Sequence, residues 1–230
     1  MTMPDSAPPR AVFFDLDGTL VDSAPDIAAA VNELMAVYGL APHSLEAVRG
    51  MIGNGMEALV ERAFGAHGMA LSLRNFRERR ERMVDIYANN LTRLTTLRPG
   101  AAEALAAARG AGLRTGVVTN KPEGFSRIIL SHFNLLSDLD LVIGGDSGHG
   151  KKPAPDMLLA ACEICRCSPG EALMVGDSPA DAAAARAAGM KCVIVRGGYT
   201  AVPVESLDAD QVVDSLLDLR SMFLCAGEAA

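Results

Sequence analysis

Short apolar runs alternate with amphipathic stretches through the second half of the chain. The apolar runs predict buried strands at residues 116–119, 139–143, 172–175 and 192–195. The amphipathic stretches predict helices at residues 122–132, 155–165, 179–188 and 215–223. Proline in the first turn and glycine just past the end are typical of helix boundaries, as at Pro179 and Gly189. Repeated strand–helix units predict a parallel sheet with right-handed crossovers.

A fifth apolar run, residues 11–14, predicts another strand of the same sheet, but a long stretch separates it from the others. Residues 22–96 show helical periodicity and few strand signals, and turn residues flank them at Asp17-Gly18 and Pro99-Gly100. The sequence therefore predicts an α/β protein with two domains. Residues 1–21 and 97–230 form the parallel-sheet core, and residues 22–96 form an inserted helical cap domain at the C-terminal edge of the sheet.

Composition narrows the functional classes. Half of the 230 residues are apolar, which supports a packed core, and the net charge of −7 argues against general nucleic-acid binding. The arginines of residues 74–82 fit either a solvated helix face or a weak positive field for an anionic substrate. No apolar run approaches the roughly 18 residues of a membrane span. Because MTMPDSAPPR lacks the apolar run of a signal peptide, we expect an unstructured lead-in and a cytoplasmic protein.

Three cysteines, Cys162, Cys165 and Cys167, lie close together in the sequence. Such spacing occurs in metal sites. However, the surrounding LLAACEIC pattern is that of an amphipathic helix, and no second pair of ligands lies nearby. We therefore expect small buried side chains here.

The first strand ends in Asp15-Leu16-Asp17-Gly18-Thr19. In a parallel sheet, ligands bind beyond the C-terminal ends of the strands. Gly18 permits a sharp turn whose amides, with those of Thr19, can point at a phosphate. One carboxylate can then attack phosphorus while the other donates a proton to the leaving oxygen. A plain Asp-Gly turn would explain Asp17 but not Asp15, which ends an apolar run and would be costly to bury unpaired.

Three further strand ends carry polar residues. Thr119-Asn120 can hydrogen-bond phosphate oxygens. Lys151-Lys152 holds two of the chain's four lysines, and an ammonium there would offset the charge of a carboxylate and a phosphate held together. Asp177 can join Asp15 on a hard divalent cation such as Mg²⁺. Asp181 fits either a supporting role or an acid favoured by the helix dipole.

The segments DLDGTLVDS, VVTNK, KKPAP and MVGDSPADAAAARAAG resemble, in order, the four signature motifs of haloacid dehalogenase superfamily phosphatases. The resemblance implies a Rossmann-like core and a phosphoaspartyl intermediate. It implies that Asp15 is the nucleophile and a Mg²⁺ ligand, and that Asp17 is the general acid/base and binds the metal through its backbone carbonyl. Thr119 and Lys152 would hold the phosphoryl group, Asp177 would complete the metal site, and Asp181 would support it from behind.

The predicted cap resembles that of phosphoglycolate phosphatases in DSAPDIAAAVNELM and in the loop from Arg49 to Gly55. Amides around Gly53, Asn54 and Gly55 would approach a small carboxylate with which Arg49 could pair. A simple interhelical turn would also explain these glycines. The absence of lysine in residues 22–96 argues against branches of the family that need a cap lysine.

The sequence thus predicts a magnesium-dependent phosphatase for a small phosphorylated metabolite, with 2-phosphoglycolate as the favoured substrate. Two alternatives stay open. One is a phosphatase for a sugar phosphate, a nucleotide or pyrophosphate, because few contacts decide selectivity. The other is a phosphate-binding regulator without catalysis, although neither Asp15 nor Asp17 is lost.

Overall fold

A computed structural model describes residues 9–227, with side chains in the C-terminal helix up to Phe223. The strands are β1 (Ala11–Phe14), β2 (Val21–Asp22), β3 (Thr96–Leu97), β4 (Arg114–Val118), β5 (Leu141–Ile143), β6 (Ala172–Gly176), β7 (Lys191–Val195) and β8 (Gln211–Val213). The helices are α1 (Ala24–Val37), α2 (Leu45–Arg49), α3 (Gly55–Gly65), α4 (Leu73–Ala88), α5 (Ala101–Gly110), α6 (Glu123–His132), α7 (Asp156–Cys165), α8 (Pro179–Ala188) and α9 (Leu219–Gly227).

Six strands form one parallel sheet in the order β5-β4-β1-β6-β7-β8. The register pairs Phe14 with Val117 on one side and with Val175 on the other. The ends of β1, β4 and β6 therefore lie side by side. This places the residues that follow these strands at one edge of the sheet, where parallel α/β proteins bind their ligands.

The two faces of the sheet have separate hydrophobic cores. Val12 and Phe14 of β1 point into the core that includes side chains of α5, α6 and α9, whereas Ala11 and Phe13 point into the core with α7 and α8. Successive side chains of a strand alternate between faces. Because both faces are covered, β1 is apolar throughout, as expected for a strand of a buried parallel sheet.

In the sequence, helices α1 to α4 follow β1 and precede the other strands of the six-stranded sheet. A short antiparallel ribbon of two strands flanks these helices in the sequence. In this ribbon β2 pairs with β3, with Val21 opposite Leu97 and Asp22 opposite Thr96. The strand before the helical segment and the strand after it are therefore paired with each other. Assignment of residues 22–96 to a separate cap domain stays a prediction.

The predicted α/β class with a parallel sheet is confirmed. The predicted strands and helices of the second half are present within about two residues, the usual uncertainty of element ends. The C-terminal helix differs, since α9 begins at Leu219 after a 3₁₀ turn at Leu216–Asp218. Helix α5 was not predicted, and neither were β2, β3 and β8, which have only two or three residues each.

Three other predictions concern the periphery. Cys162 and Cys165 are buried, as expected, and Cys167 is partly buried. The expected lead-in falls mostly on residues 1–8, outside the described residues. Within residues 9–227, no helix combines the length and the apolar character needed to cross a bilayer, and a cytoplasmic location stays a prediction.

Candidate active site

Asp15 follows β1 directly and is held next to a buried lysine. The Nζ atom of Lys152 lies 2.9 Å from Oδ1 of Asp15 and 2.6 Å from Oδ1 of Asp181. The same Nζ atom donates a hydrogen bond of 2.8 Å to the carbonyl oxygen of Val118. Lys152 is 3% exposed, so its charge acts in a poorly solvated environment, where ionic interactions are strong.

The carboxylates of the site perturb one another. Burial raises the pKa of Asp15 to about 6, with Lys152 acting in the opposite direction and Asp181 and Asp17 adding to the rise. Burial, followed by the charges of Asp181 and Asp15, also raises the pKa of Asp177 well above its ordinary value. Burial alone would lower the pKa of Lys152, but Asp15 and Asp181 outweigh it and raise that pKa. Such clustered acids are typical of a functional site.

Two glycines leave space for the side chain of Asp177. Gly18 has φ +90°, and a Cβ atom there would collide with Oδ2 of Asp177. A Cβ atom on Gly198 would collide with the same oxygen. Thr19 donates a hydrogen bond of 3.2 Å to Oδ1 of Asp177, and the amide of Tyr199 donates one of 2.7 Å to Oδ2. Gly18 and Thr19 therefore position Asp177, a role the sequence analysis did not assign to them.

Asp181 uses both of its oxygens within the protein. Oδ1 accepts a hydrogen bond from Lys152, and Oδ2 accepts one of 2.6 Å from the hydroxyl of Ser178. The amides of Asp177 and Ser178 also donate to Oδ2, at 3.2 and 3.1 Å. This arrangement agrees with a supporting position behind the site, in which Asp181 orients both Lys152 and the loop that carries Asp177.

The acidic residues could hold a cation. Asp15, Asp177 and Asp181 each offer a carboxylate oxygen, and these oxygens lie within 4.8 Å of one another. Lys152 lies 2.9 Å from Oδ1 of Asp15 and 2.6 Å from Oδ1 of Asp181, so it supplies one positive charge to these three buried carboxylates. Buried like charges are costly unless cations compensate them. The donor set therefore fits a divalent metal ion.

Asp17 is paired with a lysine that the sequence analysis did not single out. The Nζ atom of Lys121 lies 3.0 Å from Oδ1 of Asp17 and donates a hydrogen bond of 2.6 Å to the hydroxyl oxygen of Tyr87 on α4. Ser23 donates a hydrogen bond of 2.5 Å to Asp17. Lys121 is one of four lysines in the chain and directly follows Thr119-Asn120 at a strand end, so its scarcity and position could have indicated it.

Thr119 and Asn120 directly follow β4, as predicted, and their side chains differ in the hydrogen bonds that they make. Thr119 is buried and lines a cavity together with Asp15. The Nδ2 atom of Asn120 donates to the carbonyl oxygens of Gly53, at 2.9 Å, and Lys152, at 2.8 Å. Both hydrogens of the side-chain amide are used in these two contacts, and binding of a phosphate by Asn120 stays a prediction.

Two cavities meet at Asp15 and Asp17. The inner cavity, of about 50 Å³, is lined by Asp15, Asp17, Ile27, Ile52, Gly53, Gly55, Met56, Leu59, Tyr87, Thr119, Asn120, Lys121 and Pro122. The outer cavity, of about 210 Å³, shares both carboxylates and continues past Asn54, Arg62 and Asp177 to Tyr199. The helical segment and the sheet edge therefore enclose the carboxylates together, with a narrow inner space and a wider outer one.

The residues predicted to bind a substrate carboxylate do not all converge. Gly53 and Gly55 line the inner cavity, and Asn54 lines the outer one. Oδ1 of Asn54 accepts a hydrogen bond of 2.6 Å from Arg62. Arg49 lies outside both cavities, because its guanidinium pairs with Asp22 at 2.9 Å. In this arrangement Arg49 pairs with Asp22, and its pairing with a substrate carboxylate stays a prediction.

The sequence is similar to a family of hydrolases and to individual phosphatases of that family. The family model of haloacid dehalogenase-like hydrolases matches residues 12–195. A phosphoglycolate phosphatase of Cereibacter sphaeroides is 44% identical over 196 residues, which cover 85% of this chain and 89% of that protein. A phosphoglycolate phosphatase of Rhodospirillum rubrum is 40% identical over 215 residues, covering 92% and 89%.

Solved structures share the fold over nearly the whole chain. The crystal structure of a predicted phosphoglycolate phosphatase from Haemophilus somnus 129pt has a TM-score of 0.87 and 31% identity, and covers 93% of this chain and 97% of that one. The structure of CbbY from Rhodobacter sphaeroides, in complex with phosphate, has a TM-score of 0.79 and 27% identity, covering 92% and 96%.

Proposed function

The chain belongs to the haloacid dehalogenase-like hydrolase family and is a phosphoric monoester hydrolase, and we propose that it hydrolyses 2-phosphoglycolate through a phosphoaspartyl intermediate on Asp15. The observation that carries the proposal is the placement of Asp15. Its carboxylate lies at the end of the central strand, next to the buried cation of Lys152, and borders both cavities.

The proposed chemistry has two transfers. A carboxylate oxygen of Asp15 attacks phosphorus, the ester P–O bond breaks, and Asp17 gives its proton to the leaving oxygen. Water then attacks the phosphorus of the aspartyl phosphate, Asp17 takes the proton, and phosphate leaves with Asp15 restored. Lys152 offsets the charge that gathers when a carboxylate and a phosphoryl group approach, and Thr119 is placed to hydrogen-bond a phosphoryl oxygen.

We propose Mg²⁺ as the metal, held by Asp15, Asp177 and the backbone carbonyl of Asp17. All of these donors are oxygens, and Mg²⁺ is commonly bound by few carboxylates together with a substrate phosphate. When bound, Mg²⁺ supplies positive charge that stabilises the phosphoryl group in transfer. Asp181 orients Lys152 and the Asp177 loop without binding the metal directly, since its Oδ1 lies 2.6 Å from the Lys152 ammonium and its Oδ2 accepts three hydrogen bonds.

Residues 22–96 act, in this proposal, as the cap domain that selects the substrate. Ile27, Ile52, Met56 and Leu59 give the inner cavity an apolar wall, and Lys121 supplies a buried cation. The small volume favours a compact ester over a nucleotide or a large sugar phosphate. An enclosed site also keeps bulk water from the first transfer. The similarity to phosphoglycolate phosphatases at 40–44% identity supports the same substrate.

The test is a set of initial rates with Mg²⁺ for 2-phosphoglycolate, sugar phosphates, nucleotides and pyrophosphate. We expect kcat/KM for phosphoglycolate to exceed the others by about a hundredfold, or ~2.7 kcal/mol. Equal kcat/KM values for all esters, or a different order of substrates, would reject 2-phosphoglycolate as the substrate. Either result would still agree with phosphatase activity. Tight phosphate binding without turnover of any ester would instead support a regulator.

A further inference from the structure

A glutamate of the helical segment is bound to the loop that carries Lys152. Oε2 of Glu57 on α3 lies 2.5 Å from Nζ of Lys151, and Oε1 lies 2.7 Å from Nε of Arg80 on α4. The two contacts differ in what they join. The contact with Arg80 remains within the helical segment, whereas the contact with Lys151 crosses from that segment to the sheet edge.

A second, neutral contact joins the same two segments. The side-chain amide of Asn120 donates to the carbonyl oxygen of Gly53, just before α3, and to that of Lys152. Gly55 allows the close approach, because it has φ +85° and a Cβ atom there would lie 3.2 Å from the carbonyl oxygen of Asn120. Residues 53–57 are thus docked against residues 120 and 151–152 by one ion pair and one shared amide.

We propose that Glu57 is a positioning residue whose ion pair with Lys151 latches the 53–57 turn onto the Lys152 loop. This proposal rests on the proposed function. The latch holds the helical segment against the sheet edge and at the same time fixes the position of the Lys152 backbone. Residues 53–57 border the inner cavity through Gly53, Gly55 and Met56, so releasing them would open the cavity wall. Glu57 itself is not among the residues that line it.

The ion pair of the latch is partly exposed to solvent and ionised at neutral pH. The side chains of Glu57 and Lys151 are 36% and 35% exposed, so water and salt screen their attraction. Burial alone would raise the pKa of Glu57, but hydrogen bonds from Lys151 and Arg80 lower it to about 2. Glu57 therefore stays ionised at neutral pH, and ionic strength is the variable that loosens the contact.

The kinetic test is a double-mutant cycle with Glu57→Gln and Lys151→Gln, with Arg80→Gln as the matched control. We expect each latch variant to raise KM for the best ester about two- to fivefold with little change in kcat, and the double variant to be no worse than either. Arg80→Gln keeps the crossing contact and should change KM by less than about twofold. The wild-type advantage should vanish near 1 M salt, where the Debye length is about 3 Å. Additive effects, or an equal loss in Arg80→Gln, would overturn the proposal.

A readout without substrate separates this proposal from the proposed function. Amide hydrogen exchange of residues 52–60 should be about two- to fivefold faster in Glu57→Gln and Lys151→Gln than in the wild type, without further gain in the double variant. Unchanged exchange in both single variants would refute the latch even if the enzyme hydrolyses phosphoglycolate. Faster exchange in a protein that hydrolyses no ester would uphold the latch and reject the function.

Discussion

The Nζ atom of Lys121 lies 3.0 Å from Oδ1 and 3.1 Å from Oδ2 of Asp17, and the two side chains are only 4% and 12% exposed. Asp17 therefore has a buried counter-ion of its own, separate from the Lys152 that faces Asp15. The hydroxyl of Tyr87 accepts a hydrogen bond from the same lysine. This contact connects α4 of the helical segment to the proposed general acid.

Removing this counter-ion should destabilise the fold. Lys121→Met leaves the carboxylate of Asp17 buried without its cation, and breaking a buried pair in this way costs about 3–5 kcal/mol. Urea unfolding measures the loss. Arg186→Met, which breaks the exposed pair with Asp208, is the control and should cost at most about 1 kcal/mol. Equal losses in both variants would show that Lys121 and Asp17 gain nothing from their burial.

Metal binding should stabilise the protein through Asp177. At a Mg²⁺ concentration about a hundredfold above Kd, the expected gain is ~2.7 kcal/mol. For a chain of this size that gain corresponds to a rise in Tm of roughly 5–10 °C over the EDTA-treated protein. Asp177→Asn should abolish most of this rise, although its metal-free form should be no less stable, since it removes one of several crowded negative charges. A full Mg²⁺-dependent rise in Asp177→Asn would place the metal elsewhere.

Stability of the metal-free protein should depend on the ionisation of Asp15. Its pKa is about 6 in the folded protein, against 3.8 for an ordinary aspartate, so the folded state binds the proton more tightly. The resulting penalty is absent below about pH 4, grows as the pH rises, and reaches ~3 kcal/mol above about pH 6. The excess stability of Asp15→Asn over the wild type should therefore be larger at pH 7.5 than at pH 4. Unfolding curves that give the same difference at both values would contradict the raised pKa.

Gly18 should tolerate no side chain. In Gly18→Ala the Cβ atom would meet Oδ2 of Asp177, and its positive φ is unfavourable for alanine. We expect a loss of more than about 1 kcal/mol in the free energy of unfolding, together with weaker Mg²⁺ stabilisation. Gly110→Ala is the matched control, because nothing lies within 4 Å of its added Cβ and it ends a helix. Wild-type metal response in Gly18→Ala would show that Asp177 can move without cost.

The sequence predicted what depends on local pattern. The apolar run at residues 11–14 and the polar residues after it identify a buried strand with Asp15 at its end, because strand period and turn chemistry are local. The carboxylates and Lys152 were likewise expected to meet, since parallel strands end at one edge.

Contacts between segments that are distant in the chain could not be predicted from the sequence. Tyr87 reaches Lys121 across 34 positions, and the amide of Tyr199 reaches Asp177 across 22. Neither residue lies in a pattern that distinguishes it from an ordinary core or loop tyrosine. The partner of Arg49 was likewise not predicted, because Asp22, which lies on the β2–β3 ribbon, is 27 positions away in the sequence. Short strands such as β8 depend on their neighbour in the sheet and leave little periodicity.

The most direct test of the account is the rate of Asp15→Asn with 2-phosphoglycolate and Mg²⁺, measured beside the wild type and the surface variant Asp208→Asn. We predict that Asp15→Asn stays folded and loses at least about a thousandfold in kcat, or ~4 kcal/mol, whereas Asp208→Asn keeps its full rate. An Asp15→Asn protein that keeps most of the wild-type rate would contradict the assignment of Asp15 as the nucleophile.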